Sequence, residues 1–359
     1  ADVAFALRWI FARNNHLPAA NTLAGSHMIF SQDSFKSEWS NLKRDTLWHK
    51  DEVFMAAVRY LMLHAFTGTL NIDTYPVEIS KKGFLIGTIH LTGGHTMIIS
   101  KVDYNATVTA PIIKLSSTVP AAVRELMEEP MMDQSNVDMS SGGLVRLRWP
   151  KLVSGKWSLI AKKDMPLYSE EQYSSDFLGK DNHLTFAIIN KLGIKFNPKK
   201  VLEDTANFII AGLKQRVSIV EDAYNACLNL DCSEGTFEYE EYSTPTRDGR
   251  LANKFKEMED LNSQMIAFDS KLKNFWSDFK KNNTFTVQGF TKSLEKYESI
   301  FKYKFASYHP EDSLSQRWGL TADDKINVLA NRYNRYSIKR KELVNDAKSC
   351  VGNSNCKRG

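Results

Sequence analysis

The sequence predicts an α+β protein in which an N-terminal helix packs on an antiparallel sheet and a mostly helical C-terminal region follows. Three observations support this fold class. Apolar residues recur at helical spacing in residues 2–13. Residues 75–116 contain short stretches rich in β-branched residues, separated by turn residues. From Ser169 onward the chain has helical spacing almost throughout. The change of pattern near residues 162–168 predicts two domains, 1–162 and 163–359.

The opening helix is predicted from Asp2 to Arg13 because its apolar residues recur at helical spacing. Asp2 lies in the first turn, where a carboxylate interacts favourably with the exposed N–H groups. Asn14–Pro18 is expected to end the helix. A second helix is predicted over Lys50–Phe66, closed by Gly68.

The predicted strands form an antiparallel meander, followed by a short helix and another strand pair. In chain order the predicted segments are strands Tyr75–Ile79, Phe84–Leu91, His95–Asp103 and Ala110–Ser116, helix Pro120–Met127, and strands Gly143–Trp149 and Lys156–Ala161.

The C-terminal region is predicted to be a set of helices whose charged sides are solvated faces. They are Ser169–Leu178, Asn182–Lys191, Pro198–Ala226, Pro245–Lys281, Val287–Lys304 and Ala322–Lys348. Pro198 and Pro245 suit first-turn positions, because proline lacks the N–H that is unpaired there in any case.

Composition narrows the classes of function. The chain of 359 residues has 47 basic and 42 acidic residues, a net charge of +5 that is spread along the sequence. Such a mild excess does not indicate a nucleic-acid-binding protein, although it suits an anionic cell-envelope surface. No apolar run approaches the roughly 20 residues that span a bilayer.

The four cysteines form two close pairs, Cys227 with Cys232 and Cys350 with Cys356. Two short-loop disulfides are the favoured interpretation, and they predict an oxidising compartment. A zinc site would also accept two cysteine pairs, but these spacers exceed the usual two residues and no histidine is near. Free thiols remain an alternative.

The segment Gly93–Ser100 carries the main candidate for chemistry. Two glycines precede His95, and an apolar run with strand character follows it. This pattern predicts an imidazole held at the start of a buried strand, facing a cleft. Histidine titrates near neutral pH and is the usual general base, so His95 is the candidate catalytic residue. A histidine that is satisfied within a core or beside a turn is the competing interpretation.

A helix followed by an antiparallel sheet with a histidine at a strand start is the chain order of papain-like hydrolases. Residues 1–120 resemble the bacterial NlpC/P60-type members of that group. The matching segments are Ala1–Phe5, which is similar to the residues after the nucleophile, Phe84–Ile89, which leads into the histidine turn, and Gly94–Ile99, the histidine strand.

The resemblance implies a secreted or periplasmic cysteine amidase or peptidase that acts on peptide or peptidoglycan amide bonds. His95 would be its general base, and its nucleophilic cysteine would be the residue immediately before Ala1, because residues 1–226 contain no cysteine. The alternative is a catalytically inactive papain-like protein that serves as a binding or structural module.

Ser116 is the predicted orienting partner of His95. If the hairpin turns at Asn105–Ala106, antiparallel pairing places residues that sum to about 211 opposite one another. Ser116 then lies beside His95, with Lys114 on the same face. A hydroxyl can accept from the imidazole N–H, whereas Lys114 would repel an imidazolium. A slip of one residue would change this assignment. A hydroxyl that simply ends a strand is the competing interpretation.

The remaining histidines and acidic residues are weaker candidates. His90 is predicted to lie on the face opposite His95, which argues against a two-histidine metal site. The acidic group of Glu125, Glu128 and Glu129 is expected to be solvated. No cofactor is expected.

Overall fold

The computed structural model describes residues 1–25, 28–92, 94–117, 126–133, 138–140, 142–180, 182–242, 245–302 and 307–350. The predicted α+β class is confirmed: antiparallel sheet is combined with a helical C-terminal region. The described residues form two compact units, the first up to Asp204 and the second from Thr205 on. The predicted boundary at 162/163 falls inside the first unit, because the helices that follow it pack on the sheet.

Strands and helices are interspersed as far as Phe196, and the chain beyond it is mostly helical. The strands are β1 (Ala20–Thr22), β2 (Ile29–Ser31), β3 (Thr74–Pro76), β4 (Ile89–Thr92), β5 (His95–Val102), β6 (Asn105–Ala106), β7 (Ile112–Ser116), β8 (Met127–Pro130), β9 (Gly143–Leu147), β10 (Pro150–Val153), β11 (Lys156–Leu159), β12 (Lys195–Phe196), β13 (Thr284–Val287) and β14 (Phe290–Ser293). The α-helices are α1 (Asp2–Asn14), α2 (Glu52–His64), α3 (Thr67–Asp73), α4 (Ser175–Leu178), α5 (Leu184–Leu192), α6 (Pro198–Cys227), α7 (Phe237–Tyr242), α8 (Pro245–Met265), α9 (Phe275–Asn282), α10 (Leu294–Lys302), α11 (Leu314–Trp318) and α12 (Ala322–Cys350).

A six-stranded antiparallel sheet in the order β3-β9-β4-β5-β7-β8 organises the first unit. One face is covered by α1 and α2, whose buried residues Phe5, Trp9 and Leu61 pack with Leu91 of β4. The other face is covered by α5, whose Ile188 packs in a second apolar cluster that includes Ile99 of β5. We call these the α1 face and the α5 face. The sheet is therefore buried between two helical layers.

Strand β5 contains a bulge between Ile99 and Lys101, where it pairs with β7. The extra residue is Ser100, whose hydroxyl donates to the carbonyl of Ile113 at 3.2 Å. As a result Ile99 and Val102, three residues apart, both pack in the cluster on the α5 face.

Most predicted elements of the first unit are found within a few residues of their expected bounds, but several details differ. Strand β4 begins only at Ile89, because Gly87 turns the preceding backbone with φ +88°. Strand β11 pairs with β10 through a turn at Ser154–Gly155 rather than with β9, which joins the central sheet. Gly68 lies within α3 instead of ending α2. Most of the helix predicted over Pro120–Met127 lies outside the described residues, and Met127 begins a strand.

The second unit is helical, with one hairpin that the sequence pattern did not predict. The expected helix Val287–Lys304 is wrong in its first part, because β13 and β14 pair around Gln288 and Gly289, both with positive φ. The expected helix Pro245–Lys281 is broken into α8 and α9, with Asp269 capping a short 3₁₀ turn between them.

A disulfide joins Cys227, at the end of α6, to Cys232, with their Cα atoms 5.7 Å apart. This confirms the first predicted pair. Cys356 and the side chain of Cys350 lie outside the described residues. A disulfide is compatible with a protein outside the cytoplasm.

Replacing both Cys227 and Cys232 with alanine is expected to lower the free energy of unfolding by about 2 kcal/mol. The bond closes a loop of only a few residues, so the entropy that it removes from the unfolded chain is small. Chemical denaturation with and without a reducing agent measures the effect. The reductant should destabilise the wild type and leave the double variant unchanged; equal stability of the two proteins in oxidising buffer would contradict the prediction.

In the described part of the chain, no single helix is long and apolar enough to cross a membrane. Helices α2 and α3 reach the required length and hydropathy only as a pair bent by 105°.

Candidate functional site

His95 is the first residue of β5, at the end of the sheet where β4 turns into β5. It pairs with Thr92, the last residue of β4. Its side chain is half-buried, and the preceding Gly94 is exposed and has φ +86°, a conformation that favours glycine. The predicted placement of an imidazole at a strand start is therefore confirmed.

The layer of α1 extends to the immediate neighbours of His95. Leu91, next to the cross-strand partner of His95, is buried against α1 residues Phe5 and Trp9. Ala1 packs against the same cluster. Thr96, the next residue after His95, pairs with Leu91, and so its side chain points to the α1 face. The Thr96 hydroxyl is buried and has no hydrogen-bond partner in the described residues.

The side chain of His95 itself leaves β5 on the α5 face. Successive residues of a strand alternate between faces, and Ile98 packs on the α1 face while Ile99 packs on the α5 face. His95 therefore shares the α5 face with Met97 and Ile99. Because it is the terminal residue of the strand, its ring lies at the end of the sheet and not over the middle of a face.

The predicted pairing of Ser116 with His95 is wrong by two residues. In the structure Ile98 pairs with Leu115 and Ile99 with Lys114, so paired residues sum to 213 instead of about 211. This register brings Ser116 opposite Met97 and diagonal to His95, a separation of about 7–8 Å between such positions. The hairpin turn that was expected at Asn105–Ala106 is not found there. These two residues form strand β6, which pairs with β12.

The prediction that His90 and His95 lie on opposite faces of the sheet is also wrong. His90 pairs with Met97 and Thr92 pairs with His95, so both histidines occupy the α5 face in neighbouring strands. His90 is 1% exposed, and its Nδ1 lies 3.8 Å from a carboxylate oxygen of Asp133. Within the described residues no group of three or more metal-ligating side chains could hold a metal ion.

A buried charged cluster lies on the same face, centred on Lys114 of β7. The Lys114 ammonium donates to both carboxylate oxygens of Asp133, at 2.8 and 2.7 Å, and lies 3.5 Å from Glu129. Lys114 is 1% exposed and Glu129 is 5% exposed. The Asp133 N–H donates to the Thr185 hydroxyl at 2.9 Å, which ties the cluster to α5. Two carboxylates around one ammonium give the cluster an excess of negative charge if all three are ionised.

The sequence pattern predicts a solvated Glu129 and a Lys114 that plays no part in the site, so it does not reveal this cluster. One signal was present. Lys114 stands between Ile113 and Leu115 in a strand whose neighbours are apolar, and its partner in the cluster, Asp133, follows two methionines. A lysine in such a strand is rarely buried without a carboxylate partner.

A series of hydrogen bonds on the α1 face holds helix α1 in place. The indole N–H of Trp9 donates to Asn21 at 2.7 Å, and Asn21 donates to Asp73 at 2.8 Å. The Asp73 carboxylate also accepts from the backbone N–H of Thr22 at 2.8 Å. Burial raises the pKa of Asp73 above its usual range despite these donors.

A cleft of ≈ 500 Å³ lies at the C-terminal end of α1. Arg13, His16, Phe35 and Trp157 are among the residues that line it. None of its lining residues belongs to β4 or β5, so His95 does not open into this cleft.

The structure thus places His95 and Thr96 at the end of the sheet where β4 turns into β5, with Thr96 directed to the α1 face and His95 to the α5 face, which also carries the Lys114 cluster. No family model, curated protein or solved structure matches this chain.

Proposed function

We propose that the first unit is the catalytic domain of a papain-like cysteine hydrolase that cleaves amide bonds of peptides or peptidoglycan. The nucleophile is a cysteine at the position before Ala1, and His95 is the general base that takes its proton. The observation that carries the proposal is the packing of α1 against Leu91, adjacent to the cross-strand partner of His95.

Two further features support the proposal. A thiol at the start of α1 would lie at a helix N-terminus, where unpaired N–H groups stabilise a thiolate. The buried Thr96 hydroxyl points to the α1 face beside His95 and can donate to or accept from a group on that face. The Trp9–Asn21–Asp73 chain ties α1 to β1 and to the end of α3, and so holds the helix in a fixed position.

The test uses the intact protein with its native residues upstream of Ala1. We expect covalent labelling by a peptide that carries a thiol-reactive group in place of its scissile amide, and release of soluble fragments from purified peptidoglycan. His95→Ala should lower both rates by at least about 10²-fold, because a general base contributes that much or more. The matched control is His49→Ala, an exposed histidine of the same unit, which should keep wild-type rates.

Two results would overturn the proposal. One is an upstream residue that is not cysteine. The other is a His95→Ala protein that is labelled as fast as the wild type.

The second candidate function is a non-catalytic binding module with the same fold. The observation that favours it is the strand alternation, which directs His95 to the α5 face while α1 covers the other face. In this case the intact protein would bind peptidoglycan without cleaving it, and His95→Ala would leave the amount bound unchanged.

A further inference from the structure

The cleft of ≈ 500 Å³ at the C-terminal end of α1 has no role in the site around His95. We call it the His16 cleft. Its volume is in the range of small-molecule sites. All its lining residues lie in the first unit and none belongs to β4 or β5, so binding in it does not depend on hydrolase activity. The lining residues that decide which ligand fits are His16, Gln32, Phe35, Arg44, Asp51 and Trp157.

His16 has a backbone conformation that favours glycine, with φ +53°. Its N–H donates to the carbonyl of Arg13 at 3.3 Å. The N–H of Leu17 donates to the carbonyl of Ala12 at 2.8 Å, which completes a Schellman motif at the end of α1. Glycine is the usual residue at this position, because it has no Cβ. The chain instead places an imidazole there, beside a cleft, and such a strained residue indicates a role in binding.

The polar side chains of the cleft that are left over can all donate hydrogen bonds. Gln32 accepts from the backbone N–H of Ala19 through its Oε1 at 3.0 Å, so its amide N–H groups remain for a ligand. In the part of the chain that the structure describes, the side chains of Arg44 and His16 form no hydrogen bond or ion pair. A guanidinium offers N–H donors and a permanent positive charge, and an imidazole offers at least one N–H.

The carboxylate of Asp51, in contrast, is already engaged. One of its oxygens accepts from the backbone N–H of Phe54 at 3.0 Å, and the other accepts from the Arg13 guanidinium at 2.8 Å. Arg13 and Asp51 therefore neutralise each other. Among the described lining residues, Arg44 is left as an excess positive charge.

Aromatic rings form the apolar walls of the cleft. Trp157 is half-buried, and its indole N–H donates to Asp33 at 2.6 Å, which fixes the orientation of the ring. Phe35 is also half-buried and stacks on Trp9, with ring centroids 6.4 Å apart and planes inclined by 23°. Aromatic faces of this kind stack well on a flat apolar group.

These features together specify the chemistry of a ligand. Free donors and an excess positive charge favour an anion, and the planar fork of an arginine matches a carboxylate. We infer that the His16 cleft binds a small carboxylic acid in its anionic form, with a planar apolar body. The body packs against Trp157 and Phe35. The carboxylate accepts hydrogen bonds from Arg44, Gln32 and His16.

Three probes separate the charge of such a ligand from its apolar body. They are 2-naphthylacetate, the uncharged 2-naphthylacetamide of nearly the same shape, and acetate, which has the charge without the body. Isothermal titration calorimetry on the full chain should show that 2-naphthylacetate binds at least about tenfold more tightly than either of the others.

A charge-matched pair of variants locates the carboxylate. Arg44→Gln should weaken binding of 2-naphthylacetate at least about fivefold and change binding of 2-naphthylacetamide less than about twofold, because only the acid interacts with the lost charge. Arg59→Gln removes the same charge from an exposed position of the first unit outside the cleft, and should leave the affinity of both probes unchanged.

A second pair tests why a histidine occupies a glycine position. His16→Gly should weaken binding of 2-naphthylacetate at least about threefold, while the thermal midpoint of unfolding stays the same or rises. Gln288→Gly makes the same exchange at a residue with φ +47° in the second unit, and should leave binding unchanged.

Four results would overturn the inference. They are no binding of 2-naphthylacetate at about 1 mM, equal binding of the acid and the amide, an equal loss in the Arg44 and Arg59 variants, and a His16→Gly protein that binds the acid as tightly as the wild type. A loss of binding in His16→Gly together with a lowered thermal midpoint would also contradict it, because His16 would then stabilise the fold.

Discussion

Replacing Lys114 with methionine is expected to lower the free energy of unfolding by about 3–5 kcal/mol, because the change leaves carboxylates without their counter-charge. Methionine keeps most of the volume of the side chain, so the effect is electrostatic. Glu129, which is 5% exposed, cannot gain full hydration in exchange. Urea unfolding followed by tryptophan fluorescence measures the difference.

Two comparisons show whether the cause is the buried charge. Lys101→Met removes a partly exposed lysine from the neighbouring strand and should cost no more than about 1 kcal/mol. Adding Glu129→Gln and Asp133→Asn to Lys114→Met should recover a large part of the loss, because both carboxylates that face Lys114 are then removed. A single variant as stable as the wild type would contradict the buried ion cluster.

Replacing Trp9 with alanine is expected to destabilise the protein by about 3–5 kcal/mol, since it opens a cavity at the centre of the α1 layer. Trp9 is 2% exposed, and its ring stacks on Phe30 with centroids 5.4 Å apart. The change also removes the donor to Asn21. Denaturant titration measures the loss.

Phe11→Ala is the matched control, because Phe11 lies on the same helix and is 52% exposed. It should cost less than about 0.5 kcal/mol. Trp9→Phe should fall between the two, because it keeps a ring in the cavity but gives up the hydrogen bond. Equal effects of Trp9→Ala and Phe11→Ala would contradict the packing of α1 on the sheet.

The sequence predicted best those elements whose apolar spacing is undisturbed. Helix α1 and strand β5 were expected within one residue of their bounds, because each has one clear period and a residue that marks its start. The register between β5 and β7 was missed because it depends on contacts distant in sequence. The pairing of β6 with β12 brings Asn105 beside Lys195, and no local pattern reveals such a contact.

The candidate site was predicted only in part. His95 at a strand start follows from the glycines before it, and this was found. The Lys114 cluster was missed because local hydrophobicity does not indicate which lysine will be buried; that depends on Asp133, a loop residue nineteen positions away. The hairpin of β13 and β14 was missed because its apolar residues continue into α10 without an obvious break.

The bulge at Ser100 has a consequence for how the strand with His95 can change during evolution. Loss of Ser100 would leave Ile99 and Val102 two residues apart, the normal distance between side chains on one face. Both side chains would still point to the α5 face, so deletion of this residue would be tolerated. Deletion of a residue from a regular part of the strand would instead turn every later side chain to the opposite face. A deletion at the bulge would therefore change the length of the strand without altering which face each residue from His95 to Val102 points to.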